Sequence, residues 1–194
     1  MEQLDWSARV SRTIAQEVRR HRLARGMSAQ QLADACDRLG SPMPRTVISN
    51  IENGRRGNVT VAEVGILAAA LEVAPAALVF PVGYAEEVEH LPGRTVPPLE
   101  AADWWNGEAG ASDGWALTLL RKHRRLETQI RRVYKGIWEQ AISDYRWNGE
   151  AAGPEAEGAR QLAEEMKQQL HELRDEIARR GLTLPPLAGL DRQA

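Results

Sequence analysis

Cysteine is nearly absent from this 194-residue chain: Cys36 is the only one, so no intrachain disulfide can form and a cysteine-rich zinc module is excluded. The four histidines, His21, His90, His123 and His171, stand far apart without metal-ligand spacing, so neither a structural metal nor a cofactor is expected. No apolar run approaches the roughly 20 residues of a membrane span. The start, MEQLDWSARVSR, lacks the basic-then-apolar order of a secretion signal, so no membrane partner is expected and the reading is a cytoplasmic protein. There is no nucleophile–base set, carboxylate pair, phosphate loop or metal cluster at usable spacing, and an enzyme is not expected. Residues 7–80 also lack any alternating run of β-branched residues that would argue for a sheet.

What the chain does have is uneven charge and helical periodicity. The overall net charge of −2 divides into +2 over residues 1–80, −6 over 81–114 and +2 over 115–194, and a local basic face, not the total, sets the field an anionic partner meets. Residues 1–80 read as short amphipathic helices joined by polar turns, an all-α domain. Between 81 and 114 the periodicity stops. Pro92, Pro97 and Pro98, the acids Glu86, Glu87 and Glu89, and Gly107, Gly110 and Gly114 read as an acidic linker. From Trp115 the helical spacing returns with Leu126, Ile130, Val133, Ile137 and Ala141, and after Pro154 with Leu162, Met166, Leu170, Leu173 and Ile177. Residues 115–181 are thus expected to form a long helical hairpin, with 182–194 a tail.

The densest signal runs from Ala15 to Leu78. Ile14, Val18 and Leu23 face a first helix inward, Arg19, Arg20, Arg22 and Arg25 crowd its end, and Gly26 closes it. Arg19, Arg20 and Arg25 fit either a solvated helix end or phosphate contacts. Ser28 with Gln31 three residues on makes a capping box for a second helix. After Gly40, the stretch Ser41-Pro42-Met43-Pro44 sets up a third helix to Asn53, with Gly54 at the left-handed turn that ends it. Ile48 and Ile51 share one face of that helix, and Arg45, Thr46, Ser49, Asn50 and Asn53 fall on the other. These residue types suit the major groove of double-stranded DNA: Arg bonds a guanine edge twice, Asn an adenine edge, Ser and Thr a base or a phosphate. Arg55 and Arg56 follow in a Gly-flanked loop, suited to fixing register on the phosphate backbone. A fourth helix, 61–71, turns Val64, Leu67, Ala68 and Leu71 inward, and a short turn near 76–80 completes the cover.

The segments RRHRLARGMSAQQLADA, RTVISNIENGRR and VAEVGILAAALEVAPAALV together resemble the lambda-repressor-like, or Xre-type, helix-turn-helix family over residues 10–80. The specific core is Ile48-Ser49-Asn50-Ile51-Glu52-Asn53-Gly54. The resemblance implies a five-helix fold whose third helix enters the major groove, phosphate contacts from the start of the second helix at Ser28 and Gln30, and binding as a homodimer to paired half-sites. It also implies a structural ion pair between Arg22 and Glu52. Two departures stand out. Ala29 replaces the Gln that often follows the helix-two Ser, and the turn before the third helix is about five residues longer than usual, either lengthening helix two or forming a wing.

Beyond residue 114 the basic run Arg121, Lys122, Arg124, Arg125, Arg131, Arg132 and Lys135 fits a second nucleic-acid surface or, preferably, pairing with the acidic second helix. The stripes Leu126, Ile130, Val133, Ile137 and Leu162, Met166, Leu170, Leu173, Ile177 are expected to meet their copies in a four-helix dimer. Trp104, Trp105, Trp115, Trp138 and Trp147 read as packing anchors, and WNGEA, at 105–109 and again at 147–151, as two surface turns or a ligand-contact loop. The expected function is a nucleoid-associated DNA-binding transcription regulator, repressor in sign. The alternatives are an antitoxin-like protein whose C-terminal helices bind a partner protein, and a receptor for a small-molecule effector at the C-terminal region.

Overall fold

The computed structural model describes residues 5–108, 115–148 and 154–187, and the side chains of 144–148 and 154–156 are outside the description. Its described residues are mostly helical, in two compact units, Met1–Gly110 and Ala111–Ala194.

In the first unit, α1 (Trp6–Ala24) starts where the Asp5 carboxylate accepts the Ala8 N–H at 2.8 Å, and stops at Gly26, whose φ of 64° turns the chain so that Met27 N–H reaches the Arg22 carbonyl. Helix α2 (Ala29–Arg38) carries the Ser28/Gln31 capping box. Helix α3 (Arg45–Glu52) begins after Pro44 with no side-chain cap. Helix α4 (Val61–Ala70) has a second box, Thr60/Glu63, and α5 (Pro75–Val79) opens on a first-turn proline. Ile14, Val18, Leu32, Ile48, Ile51, Leu67, Leu71 and Leu78 fill the space between them. Part of the long turn before α3 goes into α2, which runs on to Arg38, and no strand of a wing follows it among the described residues. Gly40, at φ 80°, turns the chain, and Met43 plugs the core.

The stretch 81–108 is not an extended connection, contrary to the linker reading. Strands β1 (Val88–Leu91) and β2 (Arg94–Val96) pair antiparallel around Pro92–Gly93, in the register Val88↔Val96 and Glu89↔Thr95. Helix α6 (Pro98–Asn106) follows, with Pro98 in its first turn. Ala101 and Ala102 are buried in the same core as α1–α5, and Val88 and Val96 pack against it. The prolines that argued for a linker instead shape a hairpin turn and start a helix. One of the acids is a tie: Glu89 accepts two bonds from the Arg9 guanidinium, at 2.6 and 2.8 Å.

The second unit is an antiparallel pair, α7 (Ala116–Asn148) and α8 (Pro154–Arg179), with Tyr134 bonded to Glu164 and Arg174 to His123 across it. The inward positions Leu119, His123, Leu126, Ile130 and Ala163, Met166, Leu170, Leu173, Ile177 alternate in steps of four and three, the 3.5-residue period of paired helices. Leu162 lies one residue off that seam and is 50 % exposed, while Ala163 takes the buried place expected for it. Val133 and Ile137 are half-buried. The segment 182–187 is a third layer and not a loose tail. Leu182, Leu184 and Leu187 pack back on the hairpin, and the Pro185 carbonyl accepts a bond from Arg174 at 2.9 Å. Ile130, Leu170, Leu173 and Ile177 are therefore buried within one chain, which corrects the expectation that a second copy must cover them. The second WNGEA stretch lies beyond the described residues at 149–151.

Candidate nucleic-acid interface

Helix α3 is amphipathic in the plain sense. Ile48 and Ile51 are buried and Val47 packs on the core, while Arg45, Thr46 and Asn53 are exposed and Ser49 and Asn50 half-buried on the opposite side. Three hydrogen bonds from one guanidinium fix where the helix ends. Arg22 on α1 meets Glu52 at 2.6 and 2.7 Å and the Met27 carbonyl at 2.6 Å, tying α1, the start of α2 and the last turn of α3 together. Past Asn53, Gly54 at φ 64° lets Arg55 N–H bond back to the Asn50 carbonyl at 3.0 Å, so the exposed Arg55 side chain emerges directly beside the helix end.

Among the described residues, Arg45, Thr46, Ser49, Asn50, Asn53 and Arg55 spend no side-chain hydrogen bond or ion pair on the protein itself. Their donors and acceptors are available to an outside partner. The other candidates are committed to different degrees. Ser28 Oγ accepts the Gln31 N–H at 3.1 Å as the α2 cap, and Gln30 donates to Asp34 at 2.8 Å, both at the exposed start of α2. Arg56 is held by Glu63, the residue that also closes the α4 capping box. The signal for that tie was legible as Thr60-x-x-Glu63, a capping box that places its carboxylate next to the preceding loop.

The arginines at the end of α1 divide. Arg19 is exposed. Arg20 is paired with Glu17 and its guanidinium lies 3.4 Å over the Tyr84 ring. Arg25 donates to the Leu71 carbonyl at 3.0 Å and pairs with Glu72 at 2.8 Å, bonds that hold α4 to α1. His21, between Glu17 and Arg20, has its pKa lowered by burial and then by the Arg20 charge. The Cys36 thiol is buried and pushed up by desolvation, which leaves it unreactive in α2. Among the described residues no group of three or more His, Cys, Asp or Glu side chains is placed to hold a metal ion, and no described helix is long and apolar enough to cross a membrane.

Two helices joined by a turn, the second carrying an unspent polar face and clamped from behind, occupy the stretch from α1 to α5 that matches a family model described as a helix-turn-helix domain, at residues 13–79. This stretch is a helix-turn-helix domain. The match covers about a third of the chain and agrees with the Xre-like resemblance. No curated protein and no solved structure matches the chain. The hairpin and α6 that complete the core of the helix-turn-helix unit lie outside the matched residues. Helix-turn-helix domains serve DNA-binding regulators, and in such domains the second helix of the motif is the one that reads bases.

Proposed function

We propose that the protein is a sequence-specific, double-stranded-DNA-binding transcription repressor of the cytoplasm that places α3 in the major groove. The carrying observation is the polar face of α3: Arg45, Thr46, Ser49, Asn50 and Asn53 on one side, uncommitted, behind which Ile48 and Ile51 are buried. In this reading Arg45 and Asn50 contact base edges, Thr46, Ser49 and Asn53 bases or phosphates, and Arg55 the phosphate backbone. Ser28 and Gln30 add phosphate contacts at the N-terminus of α2, where the helix dipole favours an anion. Arg56 contributes only as far as a phosphate can compete with Glu63.

The protein acts as a homodimer on two half-sites, and the second unit holds the copies together. What supports this is apolar surface left over after the hairpin has closed on itself. Trp138 is 69 % exposed, Ile142 one turn further is 52 % exposed, and Leu162 on α8 is 50 % exposed. Residues 115–138 carry a net +6 and residues 139–194 a net −4, so two antiparallel hairpins also attract through opposite faces.

Selection of bound DNA from a random pool tests the reading. Two inverted half-sites whose centres lie about one helical turn apart, or a multiple of it, are expected. A pool that yields no enriched sequence contradicts it. In a sedimentation experiment, Leu162→Glu combined with Ile142→Glu shifts the chain to monomer while leaving its helical content unchanged. A wild-type chain that is already monomeric at high concentration removes the dimer.

A further inference from the structure

The first unit contains a cleft of about 400 Å³ that the DNA reading does not use, between α1, α4, α5, the β-hairpin and α6. We propose that it binds a small, neutral, aromatic molecule. Its size falls in the range of small-molecule sites, roughly 300–1,000 Å³, and such sites combine mostly apolar walls with a few placed polar groups.

The wall chemistry selects the ligand class. Trp6, Phe80, Trp104 and Trp105 bring four aromatic rings to the cleft. Three of them stand in edge-on pairs, Phe80 with Trp105 at ring centres 5.8 Å apart and Trp104 with His90 at 5.5 Å. Trp104 and Trp105 remain 42 % and 51 % exposed, so their rings are not spent in the core as packing anchors, and another aromatic ring is a fitting neighbour for them.

The charge of the ligand follows from Arg9 and Glu89. Both line the cleft and are paired with each other, and the bonds from Arg9, then from the Gly93 N–H, hold the Glu89 carboxyl at about 2. The two charges answer one another, so a charged ligand would enter apolar surroundings without a counter-ion, at a large desolvation cost.

Gly65 on α4 supplies the test, because it lines the cleft and a Cβ added there meets no atom within 4 Å. Leucine at that place grows into open space and fills the site without disturbing the core. The probe is prodan, 6-propionyl-2-dimethylaminonaphthalene, a neutral aromatic ketone whose emission moves to the blue out of water, titrated into the full chain. Saturable blue-shifted binding is expected. Gly65→Leu lowers it at least about tenfold while remaining as heat-stable as wild type. Sodium 2-naphthoate, of similar shape but charged, binds at least about tenfold more weakly than prodan. Absence of saturable prodan binding, binding indifferent to Gly65→Leu, or naphthoate binding as tightly as prodan each overturns the proposal. So does prodan affinity that falls as protein concentration rises, which would assign the cleft to a second copy of the chain.

Discussion

Arg22 does more than neutralise a carboxylate. Its guanidinium satisfies both Glu52 oxygens and the Met27 carbonyl, with side-chain exposures of 11 % and 7 % for the two partners. A pair this buried stabilises little relative to a well-packed apolar substitute, yet removing one member strands the other, at about 3–5 kcal/mol. Arg22→Met is therefore expected to lower the unfolding free energy in urea by about that amount, while Arg19→Met, at an exposed place on the same helix, stays within about 0.5 kcal/mol. Equal effects of the two would show that the clamp does not hold α3.

His123 is buried against Arg174 in the second unit, and its pKa is lowered by burial, then by the Arg174 charge, with Glu127 opposing. Its Nε2 lies 2.9 Å from an Arg174 N–H, so Nε2 accepts and the ring is neutral. The unfolded chain, with an ordinary histidine pKa of about 6.5, binds more protons than the folded one. Stability is thus complete above about pH 6.5 and is lost as pH falls from there toward the lowered folded pKa. His21 works in the same direction in the first unit. Urea unfolding midpoints are expected to fall between about pH 7 and about pH 5, and less steeply in the His21→Gln/His123→Gln variant. Identical pH profiles would contradict the assignment. Neither burial was legible in the sequence. The arginine clamp came only with the family resemblance, and His123 sits on an inward step of α7 that an apolar stripe starting at Leu126 leaves out.

At the scale of elements, periodicity carried most of the fold. The capped start of α2 and the inward faces of α3 and α4 follow from spacing alone, as does that of α1 except for Leu23, which is 56 % exposed, because a 3.6-residue repeat leaves few other ways to bury Ile14, Val18, Leu32, Ile48 and Leu67 together. The stretch 81–108 misled because prolines and acids have two uses. Val88-Glu89-His90-Leu91-Pro92-Gly93-Arg94-Thr95-Val96 is two short strands around a tight turn, and Pro97-Pro98 precedes Leu99 as the start of a helix. Each piece is too short to show its period, and only the core of α1–α5 gives it something to pack on. The segment 182–187 is similar: six residues with two prolines have no helical signature, yet Leu187 is buried against Ile130 and Leu170. Leu187→Ala is expected to destabilise the second unit by about 2–5 kcal/mol, whereas Leu162→Ala, off the seam, costs less than about 1 kcal/mol in dilute solution. Urea denaturation followed by circular dichroism separates them, and a Leu187 change as mild as the Leu162 one would deny the third layer.

For the whole molecule, the candidate interface was legible because a helix that must bury Ile48 and Ile51 has no choice about where Arg45, Thr46, Ser49, Asn50 and Asn53 point. What spacing alone could not show was which basic side chains are already engaged: Arg20, Arg25 and Arg56 have internal partners, and Arg45 and Arg55 do not. That division sharpens the central claim, that α3 reads bases while Arg55 holds the backbone. The most direct measurement is a fluorescence-anisotropy titration of the selected site, and of variants changed at one base pair, with wild type, Arg45→Ala and Arg55→Ala. Arg45→Ala is expected to lose about 1–3 kcal/mol on the selected site and to stop discriminating at one base position, while Arg55→Ala weakens every sequence by a similar factor and lowers the salt dependence by about one ion. An Arg45→Ala protein that binds the selected site as tightly and as selectively as wild type would contradict the account.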